Sequence, residues 1–429
     1  MNIVAAGSVV KSAKVIVRRA GAGLAVVAMS VALATVVAAG GQQPAKPAAP
    51  KAAAPAAKAA AGKPAAKPAG GKLADGTSGL VTAGEGFKNV QALKDVPMDD
   101  FLPLMGLMTH AVGGDCATCH LNAGTELVAW EADTPNKKKA REMAFMVLAI
   151  NKQHFGGRTV VTCWTCHRGR STPIQTPNFD QIYGELEFLQ EDLVMATAPG
   201  LPRPEPIVDR YLKAIGGLDK LNAITSLSAT GTSVGFRGFG GGGEVELFGK
   251  FPDQRSMVIH YKEAKGRDAT VRSFDGKIGW TKTPLNVLGE HQLHGTELDG
   301  ARFDAQMMFP QQVKQILTRL RTLDPTEING RAVDVVQGNG PRNTFATLYF
   351  DKETGLLTRL VRFGPSLIGR LPTQFDYSDY REVNGVKMAH KIDFVWLDGR
   401  EALLLKEIKA NVPVNPAYFG RPTDVEKLK

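Results

Sequence analysis

The sequence predicts a multidomain protein with two folded parts, a small all-α domain followed by an α+β domain built on an antiparallel sheet. Three observations predict it. A chain of 429 residues exceeds one ordinary domain of roughly 150 residues. Between residues 77 and 197 apolar side chains recur at helical spacing, whereas from Ile207 onward short alternating runs are punctuated by Asx-Gly pairs. A proline-rich stretch separates the two. With 43% hydrophobic and 22% charged residues a packed core can form, and wholesale disorder is excluded.

The net charge of +10 is unevenly placed. Residues 1–39 hold Lys11, Lys14, Arg18 and Arg19, and residues 40–76 hold six lysines against Asp75. These contribute +4 and +5, so the rest of the chain carries only +1. A nucleic-acid binder concentrates basic residues on its folded surface; this chain does not, and nucleic acid is excluded as a partner. The basic residues precede an apolar stretch of roughly twenty residues ending in Val37-Ala38-Ala39. Residues 1–39 therefore read as an export signal or an uncleaved membrane anchor. Both place the body on the periplasmic side of the cytoplasmic membrane. Residues 40–76, rich in Ala, Pro and Lys, cannot bury enough surface to offset their ordering entropy and read as a disordered spacer.

All four cysteines fall in Cys116-Ala-Thr-Cys119-His120 and Cys163-Trp-Thr-Cys166-His167. Cys-x-x-Cys-His is the pattern of covalent haem c attachment, in which two sulfurs a helical turn apart form thioethers and the next His reaches the iron. Two such motifs imply two covalently bound haems held by Cys116, Cys119, Cys163 and Cys166, with His120 and His167 as iron ligands. Two alternatives compete. One is a four-thiolate zinc site, which does not require the histidines; the other is a thioredoxin-type pair, which expects a βαβ context.

Each motif follows a helical stretch bearing two methionines. Asp99 and Asp100 open Phe101–Val112 with Leu102, Met105 and Met108 in one stripe, and starting at Asp100 would leave Pro103 in the first turn. Thr134 and Pro135 open Lys137–Gln153 with Met143, Met146, Val147 and Ile150. Methionine in an apolar stripe is commonly core filling, but beside a haem a thioether is a common axial partner. His154 is a rival ligand for the second haem. His110 reads as solvated or as a propionate partner, Arg168 and Arg170 as propionate partners or exposed cations, and Trp164 as packing or contact surface at a haem edge.

Phe101-Leu-Pro-Leu-Met105, Cys116–His120, Ala140-Arg-Glu-Met143-Ala-Phe-Met146, Ala149-Ile-Asn151 and Val161–Gly169 together resemble the cytochrome c subunit of photosynthetic reaction centres, over roughly residues 85–175. That resemblance implies an all-α dihaem domain in which Met105 is the sixth ligand of the first haem and Met143 that of the second. The family's full subunit carries four haems; this chain has two motifs.

Asp180–Met195 reads as an amphipathic helix closing this domain, and residues 198–206 as a linker. Beyond it, Val208–Ile215 and Phe303–Leu320 read as helices. Thr344–Phe350, Lys391–Leu397 and Glu401–Lys409 read as strands. Asp275-Gly276, Asn329-Gly330, Asn384-Gly385 and Asp398-Gly399 read as two-residue hairpin turns. Tyr211–Gly217, Leu348–Asp351, Thr354–Leu357 and Tyr377–Gly385 are similar to periplasmic domains of the outer-membrane lipoprotein carrier type. The similarity implies a strongly curved half-barrel over residues 207–429 and an apolar ligand. Gly238–Gly243 lacks the Lys-Ser/Thr of a phosphate loop and reads as a hairpin. His260, His291, His294 and His390 lack metal-ligand spacing.

The function expected is single-electron transfer, without bond chemistry, between a membrane-bound redox complex (a reaction centre or a respiratory complex) and a soluble donor. A dihaem peroxidase, which needs an open sixth position, and an envelope ligand-binding or assembly protein with haem as redox sensor are the alternatives.

Overall fold

The computed structural model describes residues 81–428 apart from 126, 177–196, 198, 236–241, 262–268, 284–288, 343, 398 and 427. The expected leader, spacer, closing helix Asp180–Met195 and most of the glycine run lie outside the described residues. No helix among the described residues is long and apolar enough to cross a membrane.

Residues 81–176 form five helices: α1 (Ala83–Gly86), α2 (Met98–Ala111), α3 (Cys116–Cys119), α4 (Pro135–His154) and α5 (Cys163–His167). α2 starts at Met98, earlier than Asp100, so Pro103 sits inside the helix and deprives the Asp99 carbonyl of its i+4 donor. The buried face of α2 is Leu104, Leu107 and Ala111, with Leu102 exposed and Met105 half-buried. In α4 the buried residues are Ala144, Val147 and Asn151. In both helices the core stripe therefore runs beside the methionine nominated as a ligand.

The remainder is one antiparallel sheet of 13 strands in the order β6-β5-β4-β3-β2-β1-β13-β12-β11-β10-β9-β8-β7. Its edges, β6 (His291–Gln292) and β7 (Thr318–Ile328), do not pair, so the sheet is open. β1 spans Ser226–Ser233, β2 Gly243–Lys250, β3 Gln254–Tyr261, β4 Thr270–Phe274 and β5 Gly279–Lys282. β8 spans Arg331–Asn339, β9 Phe345–Asp351, β10 Leu357–Pro365, β11 Arg370–Val383, β12 Val386–Trp396 and β13 Gly399–Ala410. Asn329-Gly330 and Asn384-Gly385 make the expected tight turns, with φ of 51° and 74° in the first and 50° and 77° in the second. Those left-handed values are what a type I′ hairpin requires.

Four helices accompany the sheet: α6 (Pro204–Ala214), α7 (Leu218–Asn222), α8 (Gly295–Met307) and α9 (Val313–Ile316). A fifth, α10 (Pro422–Glu426), lies near the C-terminus. The expected helix Phe303–Leu320 is instead the end of α8, a 3-10 turn at Pro310–Gln312, the single turn α9, and β7 from Thr318. Pro310 has no amide to continue α8. At the other end, α6 begins inside the expected linker, with Pro204 as its first residue, a position where the missing donor costs nothing.

The described residues belong to one compact unit, Lys67–Lys429. Leu104, Leu107 and Val147 of the helical part share a core with Ile368 and Leu371 of the β10–β11 hairpin. Gly369 lets the hairpin approach, since a Cβ there would lie 2.6 Å from Leu107 Cδ2. Beside this apolar contact, the Asp99 carboxylate accepts the His294 amide at 2.7 Å and lies 3.0 Å from His291 Nε2. The first turn of α2 is thus joined to the start of α8.

Candidate haem-attachment sites

The two cysteine motifs are built alike. Asp115 caps α3, accepting the Thr118 amide at 3.1 Å while the Asp115 amide donates to Thr118 Oγ1 at 3.0 Å. Thr162 caps α5 in the same way with Thr165, at 3.1 Å and 3.0 Å. The Thr before the second Cys of each motif closes the box that Glu or Gln usually closes. Each motif thereby becomes a defined helical turn, which sets its two sulfurs on one side. Sequence reasoning passed over these threonines, although Cys-x-Thr-Cys-His occurs twice.

His120 Nδ1 donates to the Trp130 carbonyl at 3.2 Å, and His167 Nδ1 to the Arg170 carbonyl at 2.9 Å. A carbonyl can only accept, so both rings carry the proton on Nδ1 and leave Nε2 as the lone-pair nitrogen. For His167 the contact depends on backbone shape. Arg168 and Gly169 are both left-handed, with φ of 50° and 79°, and the chain folds back to bring Arg170 under the ring. The same turn docks on α2, since the Gly169 amide donates to the Ala111 carbonyl at 2.9 Å. Gly113 allows this approach, because a Cβ there would lie 2.2 Å from the Gly169 oxygen. Burial, and then Lys137, push the His120 imidazole pKa down, which favours the neutral, metal-binding ring.

α4 connects the two motifs. Its N-cap Thr134 donates to the Cys119 carbonyl at 2.7 Å, and Asn136 donates to the Thr118 carbonyl at 2.8 Å. Near its other end Asn151, 4% exposed, accepts the Val160 and Val161 amides at 3.1 and 2.9 Å and donates to the Val161 carbonyl at 2.7 Å. Asn151 thereby shapes the loop that delivers Thr162 to its cap. Asn151→Ala strips these partners from a part-buried loop and is expected to cost about 2 kcal/mol, read from urea unfolding. A loss below about 0.5 kcal/mol, the usual surface range, would show that the loop is held elsewhere.

All four cysteines are unbridged, with Cys116 and Cys166 exposed and Cys119 and Cys163 half-buried. Among the described residues no three His, Cys, Asp or Glu side chains gather as a metal site, so the two pairs do not converge into the four-thiolate arrangement zinc needs. Burial pushes the Cys119 and Cys163 thiols above their ordinary value, the reverse of the low-pKa thiolate of a redox pair. Among the described residues, eight of the 13 exposed large apolar side chains, including Leu121, Trp130, Phe145, Val160 and Trp164, fall between residues 102 and 164. A planar apolar group attached at the motifs has a matching surface there, and the donor set fits haem.

Met105 and Met143 are both half-buried, whereas Met108 packs against the α2 core and Met146 is exposed. His110 Nδ1 donates to the Gly106 carbonyl of its own helix at 2.9 Å. His154 is an exposed residue at the C-terminal end of α4.

Residues 47–182 match the family model of the photosynthetic reaction centre cytochrome c subunit. The chain is 36% identical over 97 residues to the photosynthetic reaction center cytochrome c subunit of Thermochromatium tepidum. The alignment covers 21% of this chain and 22% of that protein, so it spans about a fifth of the relative. The cytochrome-like segment holds both motifs, α2 and α4. The remainder has solved neighbours of another kind. A putative outer membrane lipoprotein-sorting protein domain from Vibrio parahaemolyticus is 12% identical with a TM-score of 0.36, covering 51% of this chain and 99% of that one. A LolA superfamily protein from Nitrosomonas europaea is 12% identical with a TM-score of 0.35, covering 51% and 98%.

Proposed function

We propose that this protein is a periplasmic electron carrier with two covalently bound c-type haems. Cys116 and Cys119 would hold the first and Cys163 and Cys166 the second, with His120 and Met105, and His167 and Met143, as the residues that would ligate the two irons. The observation that carries the reading is the repeated site: two capped helical turns, each ending in a His whose Nδ1 is engaged and whose Nε2 is available. When bound, the haems supply reversible one-electron redox chemistry. The protein's own part is orientation. The Trp130 and Arg170 carbonyls fix the ring tautomers and make the imidazoles better donors. With a His and a Met supplied to each iron by the chain, substrate would find no place there, which favours a carrier over a peroxidase.

The partners proposed are a membrane-bound redox complex, photosynthetic or respiratory, and a soluble donor. The N-terminal 39 residues would serve as a signal peptide or a tether and residues 40–76 as the reach between membrane and body.

A pyridine haemochrome assay with intact mass on the purified full-length protein is expected to count two covalent haems per chain. The reduced protein should not take up carbon monoxide, whereas Met105→Ala and Met143→Ala should each open one haem, half of the total, to it. Rapid uptake by the unsubstituted protein would defeat the six-coordinate reading.

A second activity rests on a separate observation in the sheet. A cavity of about 170 Å³ is lined by residues of seven adjacent strands, β3 through β10, and closed by Phe303, Asp304 and Met307 of α8. Strands about 4.8 Å apart can surround one small space only if the sheet curls. The lining is largely apolar, and we propose it as the site of an apolar ligand.

A further inference from the structure

The ligand cavity is lined by an arginine whose nearby carboxylate is already held by another arginine. Arg255, the second residue of β3, lines the cavity on the same side of the strand as Met257. Three arginines lie in this region. Arg272 is bonded to Glu297 at 2.7 Å, and Arg362 makes a two-pronged bond to Asp304 at 2.8 and 3.2 Å, both side chains being 5% exposed. The guanidinium of Arg255 makes no hydrogen bond or ion pair with any described residue. Its neighbouring carboxylate, Asp304, is engaged by Arg362. A half-buried arginine charge whose nearby carboxylate is shared with a second arginine gains from an anion of its own.

Hydroxyl donors stand nearby. Tyr211 and Tyr377 line the same cavity, and neither hydroxyl is hydrogen-bonded to a described residue. The third tyrosine, Tyr380, is engaged by the Leu357 carbonyl at 2.7 Å. A cation with two unengaged phenols in a largely apolar chamber is the complement of an acidic head on an apolar body. A guanidinium fork matches a carboxylate, which can take two parallel N–H bonds.

Resting on the apolar-ligand reading above, we infer that the cavity selects a monocarboxylate amphiphile, its head on Arg255 with Tyr211 and Tyr377 and its body against Met257, Met307 and Met308. The size sets the class. An apolar cavity of about 150 Å³ accommodates benzene, so 170 Å³ with adaptable methionine walls suits a body on the order of six to eight carbons.

The test is calorimetric titration of the full-length protein with octanoate, 1-octanol and octylamine, which share a body and differ in the head. Octanoate should bind about tenfold or more tightly than octanol, as expected for a charge-assisted over a neutral contact, and octylammonium should be rejected. Arg255→Met should remove the octanoate preference while leaving octanol within about threefold. Equal binding of octanoate and octanol, or an unchanged preference in Arg255→Met, overturns the assignment of Arg255. Binding of none of the three overturns the apolar-ligand reading and this inference together. Should Arg255→Met fail to fold by circular dichroism, the three-ligand series on the unsubstituted protein decides alone: octylamine bound as well as octanoate overturns the inference.

Discussion

Replacing Cys163 and Cys166 together by Ala should lower the covalent haem count from two per chain to one, read by pyridine haemochrome and intact mass. The two motifs are separate local structures, each with its own cap, Asp115 or Thr162, and its own carbonyl under the His ring. α5 contributes no buried residue to the core, so the sheet and α2 should keep their fold, and far-UV circular dichroism should change little. Loss of both haems would mean that the sites assemble as one unit. Retention of both would mean that the thiols are not the attachment points. The converse pair, Cys116→Ala with Cys119→Ala, should leave the other haem in place, and the two half-loaded proteins would separate the spectra of the two sites.

The chemistry was legible because it is encoded locally. Cys-x-x-Cys-His places two sulfurs and an imidazole within one turn, and no long-range contact is needed to read it. Hairpin turns at Asn329-Gly330 and Asn384-Gly385 were legible for the same reason, since left-handed pairs favour Asn and Gly. β9 and β13 fall close to their expected ranges, whereas β12 begins at Val386, five residues before the expected Lys391. What could not be read is non-local. Phe303–Leu320 has helical apolar spacing, yet β7 pairs with β8 from Thr318 onward, and tertiary pairing overrides spacing. His291 and His294 carry no sequence signal because their partner, Asp99, lies almost two hundred residues earlier. That Arg255 has no hydrogen-bonded carboxylate is likewise invisible in a sequence, where Asp304 looks as available to it as to Arg362.

The junction between α2 and α8 should make the protein less stable as pH rises toward neutrality. Asp100 is 7% exposed, its Oδ1 has no hydrogen-bond partner among the described residues, and its Oδ2 is 3.5 Å from the Thr296 amide. Burial, with Glu297 adding to it, pushes its carboxyl pKa up to about 7 from an ordinary 3.8. The folded state therefore holds this proton more tightly than the unfolded chain does. Stability from that preference is complete below about pH 4 and drains away as pH rises through 7. Each tenfold difference in proton affinity between the folded and unfolded chain is worth roughly 1.4 kcal/mol, so the loss approaches about 4 kcal/mol above pH 8. Asp100→Asn keeps the shape without the ionisation, and should gain roughly 3 kcal/mol at pH 8 while changing little near pH 4. Urea unfolding of both proteins across that range is the measurement. His291 keeps part of the slope. Burial opposes its charge, but the Asp99 bond outweighs this and raises its pKa, so it too loses stabilisation as pH rises. An Asn variant that tracks the parent at every pH would show that Asp100 reaches water. The location matters for function, because α2 bears Met105 and α8 closes the cavity. Ionising Asp100 weakens the junction, shared with the Asp99–His294 bond, where the helix of the proposed haem ligand meets the helix that closes the cavity.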